Sequence, residues 1–248
     1  MLRQITGQIG ARKDERRSEA SAPPTLGERA IHRLFPRAGK AMRVMQTLMF
    51  QRAQWQSFQT GFPTDAKDRP IPWITYPALD YLSQLDFSRA KVLEYGGGQS
   101  SLWWAERAES VTTVEGKGEW AERLRRLAPA NLTVIGPVEP AAYAHAPLGD
   151  GQAYHVIIID GLMRLERTQA SLPFLATGGL LVLDNADWHP HICAWLRAQG
   201  LVEIDFHGFG PVNDYTWCTS LFMRAHSNLP HSGGKWPTAV YGSLEQEC

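Results

Sequence analysis

Residues 91–101 read K-V-L-E-Y-G-G-G-Q-S-S, and no other stretch limits the fold as tightly. Val92, Leu93 and Tyr95 frame an acid in a short strand, and Gly96, Gly97 and Gly98 lead into small polar residues that can start a helix. Glycine alone tolerates both the dihedrals of so tight a turn and the close approach of a ligand to the chain. Backbone N–H groups left free at such a loop attract a bound group. The stretch therefore predicts a site for a nucleotide-like cofactor.

The charge beside the loop selects among cofactors. Gly96-x-Gly98-x-x-Ser101 fits the dinucleotide fingerprint loosely, with serine where glycine or alanine is usual. Glu94 stands two residues before the first glycine. A carboxylate there repels a pyrophosphate and attracts an ammonium or a sulfonium. Glu94-Tyr95-Gly96-Gly97-Gly98-Gln99-Ser100 resembles the first motif of the Rossmann-like (class I) S-adenosylmethionine-dependent methyltransferases, acid-x-Gly-x-Gly-x-small, with serine replacing the usual third glycine. The wording around the loop also resembles bacterial methyltransferase-like proteins of unassigned substrate.

The resemblance spans about residues 72–224. It implies a seven-stranded, mostly parallel α/β sheet with helices on both faces and S-adenosylmethionine held by Glu94, Gly96, Gly97, Gly98, Ser100, Ser101 and Asp160. A second acid agrees with it. Val111–Val114 is a short β-branched strand ended by Glu115, which lies 19 positions after Gly96. That is near the roughly 20-residue spacing at which an acid reaches the ribose hydroxyls; the competing reading is a solvated strand-end charge. In this family the segment before the first domain helix folds over the cofactor, which makes Trp73, Thr75 and Tyr76 candidate contacts.

Composition narrows the remaining classes. The 248 residues carry 25 Lys+Arg against 25 Asp+Glu, so a basic nucleic-acid binder is not expected. Cys193, Cys218 and Cys248 lack metal or disulfide spacing, which suits a reducing cytoplasm. No apolar run reaches a membrane span, and the N-terminus lacks the apolar core of a signal peptide. Trp73, Trp103, Trp104, Trp188 and Trp217 fall near the expected ligand edge, where Trp103 and Trp104 read better as core.

Taken in order, 1–24 reads as a disordered polar tail, 25–70 as a helical extension broken at Pro36, 71–225 as the cofactor-binding domain and 226–248 as an irregular tail. Arg29, Arg33, Arg37, Lys40 and Arg43 alternate with apolar residues. That pattern over 29–45 suits either a solvated helix face or contact with a membrane surface. Helices are expected over 77–85, 101–108, 118–127, 165–176 and 190–199, with Gly178 and Gly179 ending the fourth. Strands are expected over 132–135, 154–159, 180–183, 201–206 and 217–223. The connection at 136–152 is expected to hold one helical turn.

Four strand ends carry Glu94, Glu115, Asp160 and Asp184 with Asn185, and ligands of an open parallel sheet gather at the carboxyl ends of its strands. Methyl transfer needs positioning, exclusion of water and a reactive acceptor. For a hydroxyl of a small-molecule or glycan-like acceptor, Asp160 with His189 can take the proton. Alternatively Asp160, Asp184 and Asn185 bind Mg²⁺, a set that resembles the Asp…Asp-Asn signature of metal-dependent catechol-type O-methyltransferases. Asp214 and Tyr215 are further candidates to face the acceptor. Two other readings stay open: a non-catalytic cofactor-binding module of the same fold, and a nicotinamide-dependent oxidoreductase, which Glu94 and Ser101 disfavour.

Overall fold

The computed structural model describes residues 27, 36–139, 148, 151–227, 229–233 and 237–243. Its centre is a sheet of seven strands in the order β3-β2-β1-β4-β5-β7-β6. They are β1 (Lys91–Tyr95), β2 (Ser110–Val114), β3 (Leu132–Ile135), β4 (Tyr154–Ile159), β5 (Leu175–Leu183), β6 (Leu201–Gly208) and β7 (Trp217–Arg224). The first five pair in parallel, and β7 runs antiparallel to both β5 and β6. This is the α/β architecture the glycine loop implied.

Both faces of the sheet are covered. Val92, Val156, Ile158, Leu180, Val182 and Leu221 enter one core with Leu82 and Trp104. Leu93, Ile157, Ile159, Leu181 and Phe222 alternate onto the other with Ile192 and Leu196. Burial on two sides explains why β4 reads as a nearly unbroken apolar run rather than an alternating one. Trp103 and Trp104 are core residues, each 2% exposed.

The helices are α1 (Pro36–Gln46), α2 (Gln54–Thr60), α3 (Tyr76–Leu82), α4 (Gln99–Ala105), α5 (Gly118–Leu127), α6 (Arg164–Ser171) and α7 (Pro190–Ala198), with a π-helical turn at Thr47–Gln51. The basic stretch is described from Arg37 on, where Val44 and Met45 stand exposed beside Lys40 and Arg43. Arg29 and Arg33, the tail at 1–24 and most of the 136–152 connection lie outside the described residues. Among the described residues no helix is long and apolar enough to cross a membrane.

One stretch departs from expectation. Helix α6 stops at Ser171, a 3-10 turn containing Pro173 follows, and β5 begins at Leu175, so Gly178 and Gly179 lie within a strand rather than at a helix end. Proline cannot donate to the helical ladder and closes α6 early. The glycines fill an irregularity: Tyr154 pairs with Leu175 but Val156 pairs with Leu180. A Cβ on Gly179 would stand 3.0 Å from the His155 carbonyl oxygen. Glycine here marks close backbone approach at a bulge.

Candidate active site

The loop after β1 is closed by hydrogen bonds that run through its serine and its acids. Ser101 Oγ accepts the Gly98 N–H at 3.1 Å and donates to Glu94 Oε2. Thr113 Oγ1 donates to the same oxygen at 2.8 Å. Serine at position 101, where the dinucleotide fingerprint has glycine or alanine, thus ties the helix start to the strand-end acid. Gly96 has φ of 92°, and a Cβ on Gly97 would stand 2.4 Å from Thr113 Cγ2. Both positions need glycine for the chain's own geometry. Gly98 does not: its φ is 178° and nothing lies within 4 Å of where a Cβ would be.

Glu94 is fully buried, and its Oε1 has no hydrogen-bond partner. Burial pushes its carboxyl up to about 7; the hydroxyls of Ser100, Ser101 and Thr113 pull it back down, and nearby Asp160 raises it. A partnerless buried oxygen costs about 1–3 kcal/mol. It suits a donor or cation delivered from outside. Gly98, open on its ligand side, and Glu94 Oε1 together fit the ammonium-bearing tail of S-adenosylmethionine.

Glu115 follows β2 and is 8% exposed. Its Oε2 accepts the Gly97 N–H at 2.9 Å and its Oε1 the Lys117 N–H at 2.8 Å. Each carboxylate oxygen keeps a second lone pair for a hydroxyl donor. Glu115 thus holds the glycine loop directly at Gly97, and Glu94 holds it through Ser101.

Two cavities meet at the ends of β4 and β5. A narrow one is lined by Trp73, Ile74, Glu94, Ser100, Asp160 and Asp184 among others. A wider one, about 240 Å³, is lined by Trp73, Asp160, Asp184, Asn185, Trp188, Asn213, Tyr215 and Trp217. Trp73, Asp160 and Asp184 belong to both. Trp73, Trp188 and Tyr215 are 41%, 57% and 45% exposed, so their rings are accessible to a ligand, whereas Trp217 is packed.

Asp184 is anchored on one side only. Its Oδ1 accepts Trp217 Nε1 at 2.9 Å and Thr219 Oγ1 at 2.6 Å. Burial holds its carboxyl well above the ordinary carboxylate range, and the neighbouring Asp160 adds to the rise. Asp160 is more open and is ion-paired: its Oδ1 accepts Arg164 Nη2 at 2.6 Å and the Gly161 N–H at 2.6 Å.

Arg164 alters the reading of the three oxygens expected to bind Mg²⁺. Its Nη1 donates to the Asp184 carbonyl oxygen, and both Nη atoms donate to Asn185 Oδ1 at 3.1 Å. Its Nε donates to the Gly161 carbonyl at 3.0 Å. A guanidinium thus bridges the Asp160 carboxylate, the Asn185 amide oxygen and the Asp184 backbone carbonyl. Asn185, at φ 51°, turns its amide back onto that guanidinium. A divalent cation drawing on Asp160 and Asn185 would meet a fixed positive charge already bonded to Oδ1 of each, so the residues do not fit a metal.

Two expected site residues stand elsewhere. Tyr76 is buried against Arg52, whose guanidinium lies 4.6 Å from its ring centre, and its hydroxyl reaches the Arg52 carbonyl at 3.4 Å. It joins the N-terminal helices to the domain and lines neither cavity. Nor does His189, whose ring stacks edge-on against His191 at 5.9 Å. Burial, Arg164 and His191 lower its pKa. Proline at position 190 starts α7 and carries His189 to the helix cap instead of the strand end.

Residues that spacing did not single out complete the wall. Asn213 Oδ1 accepts Trp73 Nε1 at 2.5 Å. Gln54 in α2, only 2% exposed, donates to the carbonyls of Gly210 at 2.9 Å and Asn213 at 3.1 Å. The N-terminal helices thus fasten the β6–β7 connection. Asp214 lines neither cavity; its neighbour Tyr215 lines the wider one.

The architecture is similar to that of solved methyltransferases. A precorrin-6y C5,15-methyltransferase from Geobacter metallireducens matches with a TM-score of 0.51 at 16% identity, over 68% of this chain and 96% of that one. The fold is that of the Rossmann-like methyltransferases. The O-methyltransferase TomG from Streptomyces achromogenes, solved with S-adenosylmethionine, matches with a TM-score of 0.50 at 15% identity, over 73% of this chain and 89% of that one. No family model and no curated protein matches the sequence. The methyltransferase likeness is therefore one of architecture: the sheet, the crossover helices and the reversed β7.

Proposed function

We propose that the protein is an S-adenosylmethionine-dependent methyltransferase that methylates a hydroxyl oxygen of a small, ring-bearing, glycan-like acceptor in the cytoplasm, without a metal. The observation that carries this reading is the junction of the two cavities. A narrow one beside the glycine loop holds an unsatisfied carboxylate oxygen, a wider one has aromatic walls, and they meet at Asp160 and Asp184. Gly96, Gly97, Gly98, Ser100 and Ser101 form the cradle, Glu94 takes the ammonium and Glu115 the ribose hydroxyls. Bound S-adenosylmethionine supplies a methyl group on a cationic sulfur, which leaves as a neutral thioether.

The chain's own residues do the rest. Trp73, Trp188 and Tyr215 offer ring faces on which a sugar or aromatic ring can stack, and Asn213 and Asn185 offer polar edges. Asp184 accepts the hydroxyl proton as the oxygen bonds to the methyl carbon. Its raised pKa makes it a base matched to neutral pH. Asp160, tied to Arg164, positions the acceptor rather than taking the proton. One sulfonium and one carboxylate are consumed, and a thioether and a carboxylic acid are formed, so charge balances.

The test is to incubate the purified protein with S-adenosylmethionine and pooled sugars, glycosides, phenols and amines, then measure S-adenosylhomocysteine and the methylated product by mass spectrometry. Product from a hydroxyl-bearing pool, lost in Asp184→Asn, supports the proposal. Product from amines alone overturns the oxygen assignment. Tight cofactor binding with no turnover on any pool favours a non-catalytic module.

A further inference from the structure

A second cluster of ligating side chains lies away from the cavities, on the β6–β7 hairpin. Asp205, His207 and Cys218 each present one ligand atom, and the three atoms lie within 4.8 Å of one another. The arrangement follows from the ladder. His207 pairs with Cys218 and Asp205 with Ser220, and residues two apart on a strand share a face. Asp-x-His on one strand and Cys-x-Ser on its antiparallel partner therefore converge.

We propose that Asp205, His207 and Cys218 form a zinc site. A thiol, an imidazole and a carboxylate make up the ligand chemistry of this borderline-soft ion, with the fourth tetrahedral position left to water. The set is reachable as well as fixed, since Asp205 and His207 are exposed while Cys218 is buried at the edge of the core. An outer shell is in place too. Ser220 Oγ donates to Asp205 Oδ1 at 2.6 Å and lies 3.4 Å from Cys218 Sγ, and the Cys218 N–H donates to Asp187 Oδ1 at 3.0 Å. Such partners orient ligands before the ion arrives.

The site sits one residue from the acceptor cavity. Gly208 pairs with Trp217, and Trp217 both lines that cavity and donates to Asp184. An ion joining His207 to Cys218 would pin the hairpin where it opens into the Phe209–Tyr215 connection. The proposal is independent of the methyl-transfer reading and stands or falls separately.

The experiment uses the full chain without an affinity tag, stripped with a chelator and dialysed. Zinc is titrated against a chromophoric competitor, and cobalt is added in parallel to look for a sulfur-to-metal charge-transfer band. One equivalent should bind, the band should appear, and the melting temperature should rise with zinc. His207→Ala and Asp205→Asn, both at exposed positions, should weaken binding at least about 10-fold, and Ser220→Ala by about 10-fold. Cys218→Ser should abolish the band. Absence of stoichiometric binding, or equal affinity in His207→Ala and the parent, would overturn the proposal.

Discussion

Trp217 Nε1 donates to Asp184 Oδ1 at 2.9 Å, so the buried indole of one strand holds the carboxylate that ends its neighbour. That bond and the one from Thr219 favour the ionised form of Asp184, against burial and Asp160, which favour the neutral one. Trp217→Phe removes a stabilising donor and should raise the Asp184 pKa further. A base works only when unprotonated, so the acid limb of the pH–rate profile should move to higher pH. Turnover at pH 6 should fall more than turnover at pH 9. Asp184→Asn should lower turnover by about 10²- to 10⁴-fold at every pH; a loss under tenfold contradicts its role as base.

The guanidinium at the strand ends gives a second expectation. Because Arg164 holds Asp160, Asn185 and the Asp184 carbonyl, turnover should not respond to added Mg²⁺, before or after chelation. Arg164→Ala should leave the Asp160 carboxylate unpaired beside Asp184 and reduce turnover more than tenfold. Arg164→Lys should recover part of it. Chelation that stops turnover, with recovery on adding Mg²⁺, would count against this arrangement.

Glu94 links the site to stability. Its folded-state pKa lies near 7, above the ordinary glutamate value. The folded protein therefore binds the proton more tightly than the unfolded chain, and stability falls as pH rises from about 4 to 7. At pH 8 the buried charge costs a few kcal/mol. Glu94→Gln should melt higher than the parent at pH 8, nearly match it at pH 4, and lose cofactor affinity. A cationic ligand needs Glu94 ionised, so parent affinity should weaken as pH drops below about 7. Calorimetry and thermal melts across pH measure both trends.

Gln54 should matter to the acceptor but not the cofactor. Gln54→Ala removes two hydrogen bonds to the Gly210–Asn213 loop, at a cost of about 1–3 kcal/mol. The KM for acceptor should rise several-fold while the cofactor Kd stays unchanged; equal effects on both would show a global loss of fold.

The strand ends were legible because local chemistry fixes them. Glycine at 96 and 97 answers to a positive φ and a 2.4 Å clash, and β1 and β4 are recognisable from apolar runs. What spacing does not reveal is pairing across the chain. Nothing near Gln54 points to a loop more than 150 residues away, and Arg164 looks like any basic residue at a helix start until the fold brings it to Asn185. Tyr76 and His189 failed to reach the cavities for the complementary reason. Each is next to a proline that opens a helix, and the direction of that helix decides where the ring goes. The place of Gly178 and Gly179 inside β5 depends on a bulge that only the β4–β5 register discloses.

The most direct measurement is calorimetric titration of S-adenosylhomocysteine into the parent and into Gly98→Leu. Position 98 has an extended backbone and open space for a Cβ, so the variant should fold and melt like the parent while its side chain fills the cradle. The expected result is one equivalent bound by the parent and none detectable by the variant. A parent that does not bind, or a Gly98→Leu variant that binds as well as the parent, would contradict the account.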